Sequence, residues 1–292
     1  MGSNPTREKS DTNAVENSGM SHLKESIGPF VEGISEKTSD QDDRMPAERI
    51  EKVTGFDRIV NVAYSSALAP EDRKRTKFNI TWWETESGLT TLGGLATNDR
   101  ILLASIYGKA ESVFEWGLGE STYMADYLGV KRYSGIDNDA AWVGEARDKV
   151  GSHFRFYFAD VGETYRWGIP VKTKLRKNVL NYQLSPLIVE PLPFDVYMVD
   201  GRWRVPCALT SFLHASARGA DLTKTTVLVH DCKHKVEVKK YRGVYDNLDT
   251  LFDLVDHSGD RLCVYQRKST TTDEDIVDLW ESFKYDFHRK AL

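Results

Sequence analysis

Three stretches of this sequence have residue types and spacings that can do chemistry. The first is Glu115-Trp116-Gly117-Leu118-Gly119-Glu120-Ser121-Thr122. Glycines at 117 and 119 let the backbone turn sharply and expose main-chain N–H groups, and a helix opening at Ser121 and Thr122 favours negative charge at its N-terminus. An anionic or carboxylate-bearing ligand suits that place. The second is Asp137, which closes Tyr133-Ser134-Gly135-Ile136 near the roughly 20-residue offset at which an acid grips ribose hydroxyls in nucleotide-binding α/β folds. The third joins Asp200-Gly201 with His230-Asp231, and Arg202 and Arg204 lie close to the first of these pairs. Together they offer carboxylates, an imidazole and guanidinium groups for acid–base, metal or anion chemistry.

These residues need elements that bring them together. Val113 to Trp116 is an apolar strand, and the following helix runs from Ser121 to Leu128 with Tyr123, Met124, Tyr127 and Leu128 towards a sheet and Gly129 as its stop. Asp139 has the place of an N-cap for a helix from Ala140 to Val150. Phe154 to Asp160 is a strand rich in aromatic residues, and Phe194 to Val199 and Thr225 to Val229 are two more. Leu251 to Val255 and Leu262 to Gln266 flank His257-Ser258-Gly259-Asp260 as a hairpin. Ahead of the first strand, a helix is expected over Asp99 to Tyr107 with Ile101, Leu102, Leu103 and Ile106 buried. Ile276, Leu279, Trp280 and Phe283 mark an amphipathic C-terminal helix. Strands alternating with helices predict a mostly parallel sheet, with ligands outside the carboxyl ends of its strands.

The order strand, Gly-x-Gly turn, helix, strand, acid resembles the first motifs of class I S-adenosylmethionine-dependent methyltransferases. Glu115, Gly117, Gly119 and Asp137 fill the motif places, and Thr122 stands where a dinucleotide dehydrogenase would carry a third glycine. Glu-Trp-Gly-x-Gly-x-Ser-Thr, with the later Val-Asp-Gly-Arg and His-Asp, is similar to a branch containing small-molecule and sugar O-methyltransferases, over roughly residues 80 to 268. The resemblance implies a Rossmann-like, seven-stranded, mostly parallel sheet flanked by helices, with a terminal antiparallel hairpin. It implies S-adenosylmethionine held by Glu115, Gly117, Gly119, Ser121, Thr122, Asp137 and Asp160. The catalytic edge is then Asp200, His230 and Asp231, with His230 as the preferred base or as a histidine hydrogen-bonded for structure. Asp200 and Asp231 also match positions at which some relatives hold a divalent cation such as Mg²⁺. Arg202 and Arg204 are candidates for an anionic group on a small-molecule acceptor, a sugar or nucleotide-linked sugar hydroxyl. Two rival functions share these features: a non-catalytic adaptor that keeps the nucleoside pocket, and another nucleoside-dependent transfer such as aminopropyl transfer.

With 292 residues, 40% of them hydrophobic, the chain has room for one α/β domain and a polar extension. The expected division is a disordered polar tail over 1–45, an N-terminal helical cover over 46–98, the methyltransferase-like domain over 99–268 and a C-terminal helix over 269–292. A net charge of −5 argues against general nucleic-acid binding. Cys207, Cys232 and Cys263 are few and widely spaced, so no disulfide framework is expected and a reducing, cytoplasmic location fits. Met1-Gly2-Ser3-Asn4-Pro5-Thr6 fits both an N-myristoylation pattern and a cloning-derived start; membrane contact is expected only through an acylated Gly2. Basic runs at Lys172, Lys174, Arg176 and Lys177, and from Lys233 to Arg242, read as solvated faces or as contacts to an anionic substrate. Oligomeric state has no sequence signal.

Overall fold

Parallel strands need long crossover connections, and this chain makes them from helices. The computed structural model describes residues 59–63, 77–86, 94–165, 168–171, 176–232 and 245–285. In chain order the elements begin with β1 (Ile59–Ala63), α1 (Ile80–Glu86), α2 (Thr97–Tyr107), β2 (Ser112–Trp116), α3 (Glu120–Tyr127) and β3 (Arg132–Asp137). Next come α4 (Ala140–Lys149), β4 (Arg155–Ala159), a small ribbon of β5 (Thr164–Tyr165) and β6 (Ile169–Pro170), α5 (Arg176–Gln183) and α6 (Ser185–Val189). The last are β7 (Val196–Val199), α7 (Arg204–Ala217), β8 (Thr226–Val229), α8 (Leu248–Leu251), β9 (Phe252–His257), β10 (Cys263–Arg267) and α9 (Asp273–Phe283). The polar tail with Gly2, the segment 87–93, Lys172, Lys174 and the basic loop 233–244 lie outside the described residues, as do the side chains of Arg176 and Lys177.

The main sheet has the order β1-β4-β3-β2-β7-β8-β10-β9. Strands β4, β3, β2, β7 and β8 are parallel, and β10 lies antiparallel between β8 and β9. Those seven strands are the expected mostly parallel sheet with its terminal antiparallel hairpin. Ile59–Ala63 adds an eighth strand antiparallel to β4, inside the stretch read as a helical cover. The chain starts at β2, moves outward through β3 and β4, then crosses over to β7 on the other side of β2. A topological switch point therefore lies between β2 and β7.

Both faces of the sheet are covered, as a parallel sheet requires. One core gathers Trp116, Tyr182, Tyr197, Phe212 and Trp280, and the C-terminal helix packs against α7 and joins this core through Ile276, Val277 and Trp280. The other gathers Trp83, Leu103, Tyr107, Met124, Tyr133 and Val143. Trp83 is buried while its neighbour Trp82 is exposed and stacks on Tyr127 with ring centroids 5.3 Å apart. Helix α2 departs from its expected face: Ile101 is 49% exposed, whereas Asp99, Arg100, Leu103, Ala104 and Tyr107 are buried. Positions 99, 103 and 107 form one helical stripe, and 100 and 104 form the next, so the buried face begins with two charged residues.

Cysteine spacing proved a poor guide. Cys232 and Cys263 form a disulfide with their Cα atoms 5.9 Å apart across 31 residues of sequence. Cys263 pairs in register with Val229 across β10 and β8, and the Cys232 N–H donates to the Arg261 carbonyl at 3.0 Å. The sheet thus brings together two residues that the sequence holds far apart, and the argument for a reducing compartment loses its basis. Among the described residues no helix is long and apolar enough to cross a membrane.

Candidate active site

Strand register sets the site. Trp116 pairs with Ile136 on one side and Val199 on the other, and Val199 pairs with Val229. Gly117, Asp137, Asp200 and His230 consequently stand at or just past one edge of four adjacent parallel strands. A cavity of about 280 Å³ opens there, and its wall includes Gly117, Leu118, Gly119, Asp137, Asn138, Trp142, Asp200, Arg202, His230 and Asp231.

The glycine turn is fixed by close backbone approach and by two buried acids. Gly117 has φ +86, and a Cβ there would stand 2.4 Å from the Gly201 nitrogen, so the two strand ends touch backbone to backbone. Asp137 accepts from the Leu118 N–H at 2.9 Å through one oxygen and from the Asp139 N–H at 2.8 Å through the other. Burial pushes its carboxyl up to about 7 against those bonds. Glu115 lies fully buried beneath the turn, where it accepts from Ser121, from Thr122 at 2.9 Å and from the Tyr133 hydroxyl. Among the described residues no cation pairs with it, and burial pushes this carboxyl up to about 8.

The opposite end of the cavity is built from charges. His230 Nδ1 stands 2.8 Å from Asp200 Oδ1 and Nε2 stands 3.4 Å from Asp99 Oδ2. Only an imidazolium can donate from both nitrogens. Burial works against that charge, but Asp200, Asp99 and Asp231 outweigh it and hold the ring up to about 9. Asp99, wholly buried, also accepts from Ser258 Oγ at 2.5 Å and from the N–H groups of Arg261, Leu262 and Ala96 at 2.9, 3.0 and 3.1 Å. Despite its burial, those bonds and His230 hold its carboxyl well below the usual carboxylate range. Arg204 bridges Asp200 Oδ1 at 3.1 Å and Asp231 Oδ2 at 2.8 Å, and Arg261 reaches Asp231 Oδ1 at 3.4 Å. Burial opposes the Asp231 charge too, yet Arg204, His230 and Arg261 bring its carboxyl down to about 2.

Helix α2 ties the two ends together from consecutive residues. Asp99 serves the charged edge, while Arg100 donates to Glu120 at the start of α3 through Nε at 2.6 Å and Nη2 at 3.2 Å. Trp83 Nε1 adds a third bond to the same carboxylate at 2.6 Å. Asp99, Arg100 and Trp142 were not anticipated as members of this site. The available signal for the first two was a charged pair opening an otherwise apolar helix.

The structure places the anticipated residues as follows. Gly117, Gly119, Ser121, Asp137, Asp200, Arg202, Arg204, His230 and Asp231 line the cavity. Glu115 and Thr122 do not; they support the turn from below. Asp160 does not either: it is exposed and accepts from the Gly162 N–H at 2.8 Å, an ordinary turn contact. His230 has both ring nitrogens against carboxylates, Asp200 and Asp99, which is the geometry of the hydrogen-bonded alternative rather than of a base open to a ligand. Arg204 is corrected as a substrate ligand, because its donors end inside the protein. Asp200, His230 and Asp231 bring carboxylate and ring-nitrogen atoms within 4.8 Å of one another, as a cation site would, but the Arg204 guanidinium already lies between the two carboxylates. The residues at the glycine turn do fit a nucleoside with a sulfonium and an amino-acid tail. Gly119 faces open space at the cavity wall, backbone and carboxylate groups line one end, and Trp142 offers a ring.

No family model matches the sequence, and no curated protein matches it. A methyltransferase-like protein from Silicibacter pomeroyi is similar in structure, with a TM-score of 0.51 and 22% identity over 66% of this chain and 96% of that one. An O-methyltransferase from Bacillus cereus, solved with SAH, gives a TM-score of 0.38 at 12% identity, covering 64% of this chain and 89% of its own. A TehB-like SAM-dependent methyltransferase from Corynebacterium glutamicum gives 0.37 at 12% identity, covering 64% and 95%. The architecture of this chain is the class I methyltransferase fold.

Proposed function

We propose that the chain transfers a methyl group from S-adenosylmethionine to a hydroxyl of a small, anionic acceptor. The observation that carries this reading is the convergence, in one cavity at the switch point, of the Gly117–Gly119 turn, Asp137 and the Asp200 carboxylate. Gly117, Leu118, Gly119, Asp137, Asn138 and Trp142 are the residues that would hold the cofactor, which supplies an electrophilic methyl on a sulfonium and leaves as a neutral thioether. Asp200 Oδ1 is engaged by His230 and Arg204, whereas Oδ2 takes no hydrogen bond among the described residues. We assign Oδ2 to the acceptor hydroxyl. A carboxylate is a weak base towards an alcohol, but the hydroxyl proton becomes strongly acidic as the new C–O bond forms, so transfer to Asp200 then runs downhill. His230 and Arg204 hold the carboxylate in place, and alignment of acceptor and methyl supplies much of the rate. Arg202 lines the same cavity and is our assignment for an anionic group on a sugar-like or nucleotide-linked acceptor.

Calorimetric titration with S-adenosylmethionine, S-adenosylhomocysteine and NAD tests the pocket. Micromolar binding of the two sulfur compounds alone, lost in Asp137→Ala, is the expected result. An absence of binding by either sulfur compound in the wild-type chain ends the methyltransferase reading. Binding with no turnover on any hydroxyl acceptor would favour the adaptor.

A further inference from the structure

Arg204 opens α7 directly after Trp203, a non-glycine residue with φ +50, and its carboxylate partner Asp231 has φ +55. Left-handed backbone is strained for a residue with a Cβ, so both positions are held there by the contacts around them. Asp231 pairs directly with the Arg204 guanidinium, and Trp203 is the residue that leads into Arg204. Nε donates to the Gly201 carbonyl at 3.0 Å, and Nη1 donates to the His230 carbonyl and to Asp231 Oδ2. Nη2 donates to the Asp200 carbonyl and to Asp200 Oδ1, both at 3.1 Å. All five N–H donors of a guanidinium are thereby spent on two strand ends. The buried Tyr245 hydroxyl adds a further contact. Among the described residues the carboxylates Asp99, Asp200 and Asp231 lie within ion-pair distance of His230, Arg204 and Arg261.

We infer that Arg204 is a resident cation at the ends of β7 and β8, standing where a divalent metal would sit between Asp200 and Asp231, so that this site works without metal. The inference rests on the methyl-transfer reading for its consequence in catalysis, while its physical content concerns cation occupancy alone. Arg204 is a positioning residue: it fixes the Asp200 carboxylate with its Oδ1 inward and leaves Oδ2 for the acceptor. A divalent ion needs several oxygen ligands with open lone pairs, and here the inward-facing oxygens already accept from nitrogen. Entry of the ion would require the arginine to leave a buried place that all its donors depend on, with two left-handed residues rebuilt around it.

The test is titration of the full chain with Mn²⁺, read by loss of the free-ion electron paramagnetic resonance signal, at up to about 1 mM, the range of weak oxygen sites. The wild-type chain should leave the signal unchanged, and methyl transfer should proceed equally in a chelator and in added Mg²⁺. Arg204→Ala, checked for folding by circular dichroism, should take up Mn²⁺, and adding Asp231→Asn to it should abolish the uptake. Uptake by the wild-type chain that Asp231→Asn removes would overturn the inference, as would a folded Arg204→Ala chain that takes up none. The wild-type titration decides the matter even if Arg204→Ala does not fold. Loss of S-adenosylmethionine binding, measured separately by calorimetry, would refute the function without touching this result.

Discussion

Glu115 and Asp99 are both fully buried carboxylates, one beneath the glycine turn and one behind His230, and the protein treats them in opposite ways. Glu115 meets only hydroxyl donors and becomes a weak acid that holds its proton near neutrality. Asp99 meets three backbone N–H groups, a hydroxyl and an imidazolium, and keeps its charge. Neither side chain is exposed, but Glu115 lies deeper, so desolvation weighs more on it, and the partners add to the contrast. The glycine-turn end is therefore a largely main-chain cradle above Glu115 with the Arg100–Glu120 pair at its side, while the other end is an ion network that stays intact only as a set. Such a network is costly to break, because removing one member strands a buried charge.

The same isosteric change at the two acids separates these regimes most sharply. Asp99→Asn should cost about 3–5 kcal/mol, since it leaves His230 and the Ser258–Leu262 turn without their shared carboxylate. Glu115→Gln should cost about 0.5–1.5 kcal/mol near neutral pH, since a neutral carboxyl is exchanged for a neutral amide among hydroxyl partners. Urea unfolding of the two variants checks this, and equal losses would break the comparison.

Rising pH applies the next largest load. Glu115, Asp137 and His230 all have folded values above their ordinary ones, at about 8, 7 and 9 against 4.5, 3.8 and 6.5. For each, the stabilising contribution is fully present below the ordinary value and is lost as pH rises through the folded one. At about 1.4 kcal/mol per pKa unit, stability should fall by a few kcal/mol between about pH 6 and pH 9. Asp231 and Asp99 act with the other sign: their contributions are present above the ordinary carboxylate value and are lost only in strong acid. Glu115→Gln removes one alkaline loss, so its deficit against the wild-type chain should shrink as pH rises. Parallel pH profiles for the two proteins would show that Glu115 is charged in the folded state.

The two ends also differed in what could be read from the chain. The turn from Gly117 to Asp137 is local: a strand, two glycines, a helix and an acid lie within about twenty residues, and their spacing follows from backbone geometry. Seven strands of the sheet were visible for the same reason, through short apolar runs bounded by turn residues. The ion network has no such signal. Asp99 lies 131 residues before His230 and 163 before Leu262, so their meeting is a product of sheet order rather than of spacing. Hydrophobic periodicity even pointed the wrong way, placing Ile101 inside where Asp99 and Arg100 belong. The Cys232–Cys263 bond was hidden by the same kind of long-range pairing. At Asp200, His230, Asp231 and Arg204 residue types located the edge, but only the geometry showed that they consume one another's donors and acceptors.

Two alanine substitutions in the local end test how much of that motif is fold and how much is ligand. Gly117 has φ +86 and a Cβ there would strike the Gly201 backbone at 2.4 to 2.5 Å, with no flexible side chain to yield. Gly117→Ala should therefore cost about 1–3 kcal/mol by overpacking alone, with left-handed strain added. Gly119 differs although the motif treats the two alike: its φ of 174 is extended backbone open to any residue, and a Cβ would meet nothing within 4 Å. Gly119→Ala should leave stability within about 0.5 kcal/mol of the wild-type chain. Its methyl group would, however, project from the cavity wall where main-chain N–H groups must come close to a ligand. Thermal unfolding and S-adenosylmethionine titration of both variants should show a fold defect at 117 and a binding defect without a fold defect at 119. A stable chain with undiminished affinity after Gly119→Ala would mean that the ligand does not approach the turn there, and that only Gly117 answers to the architecture.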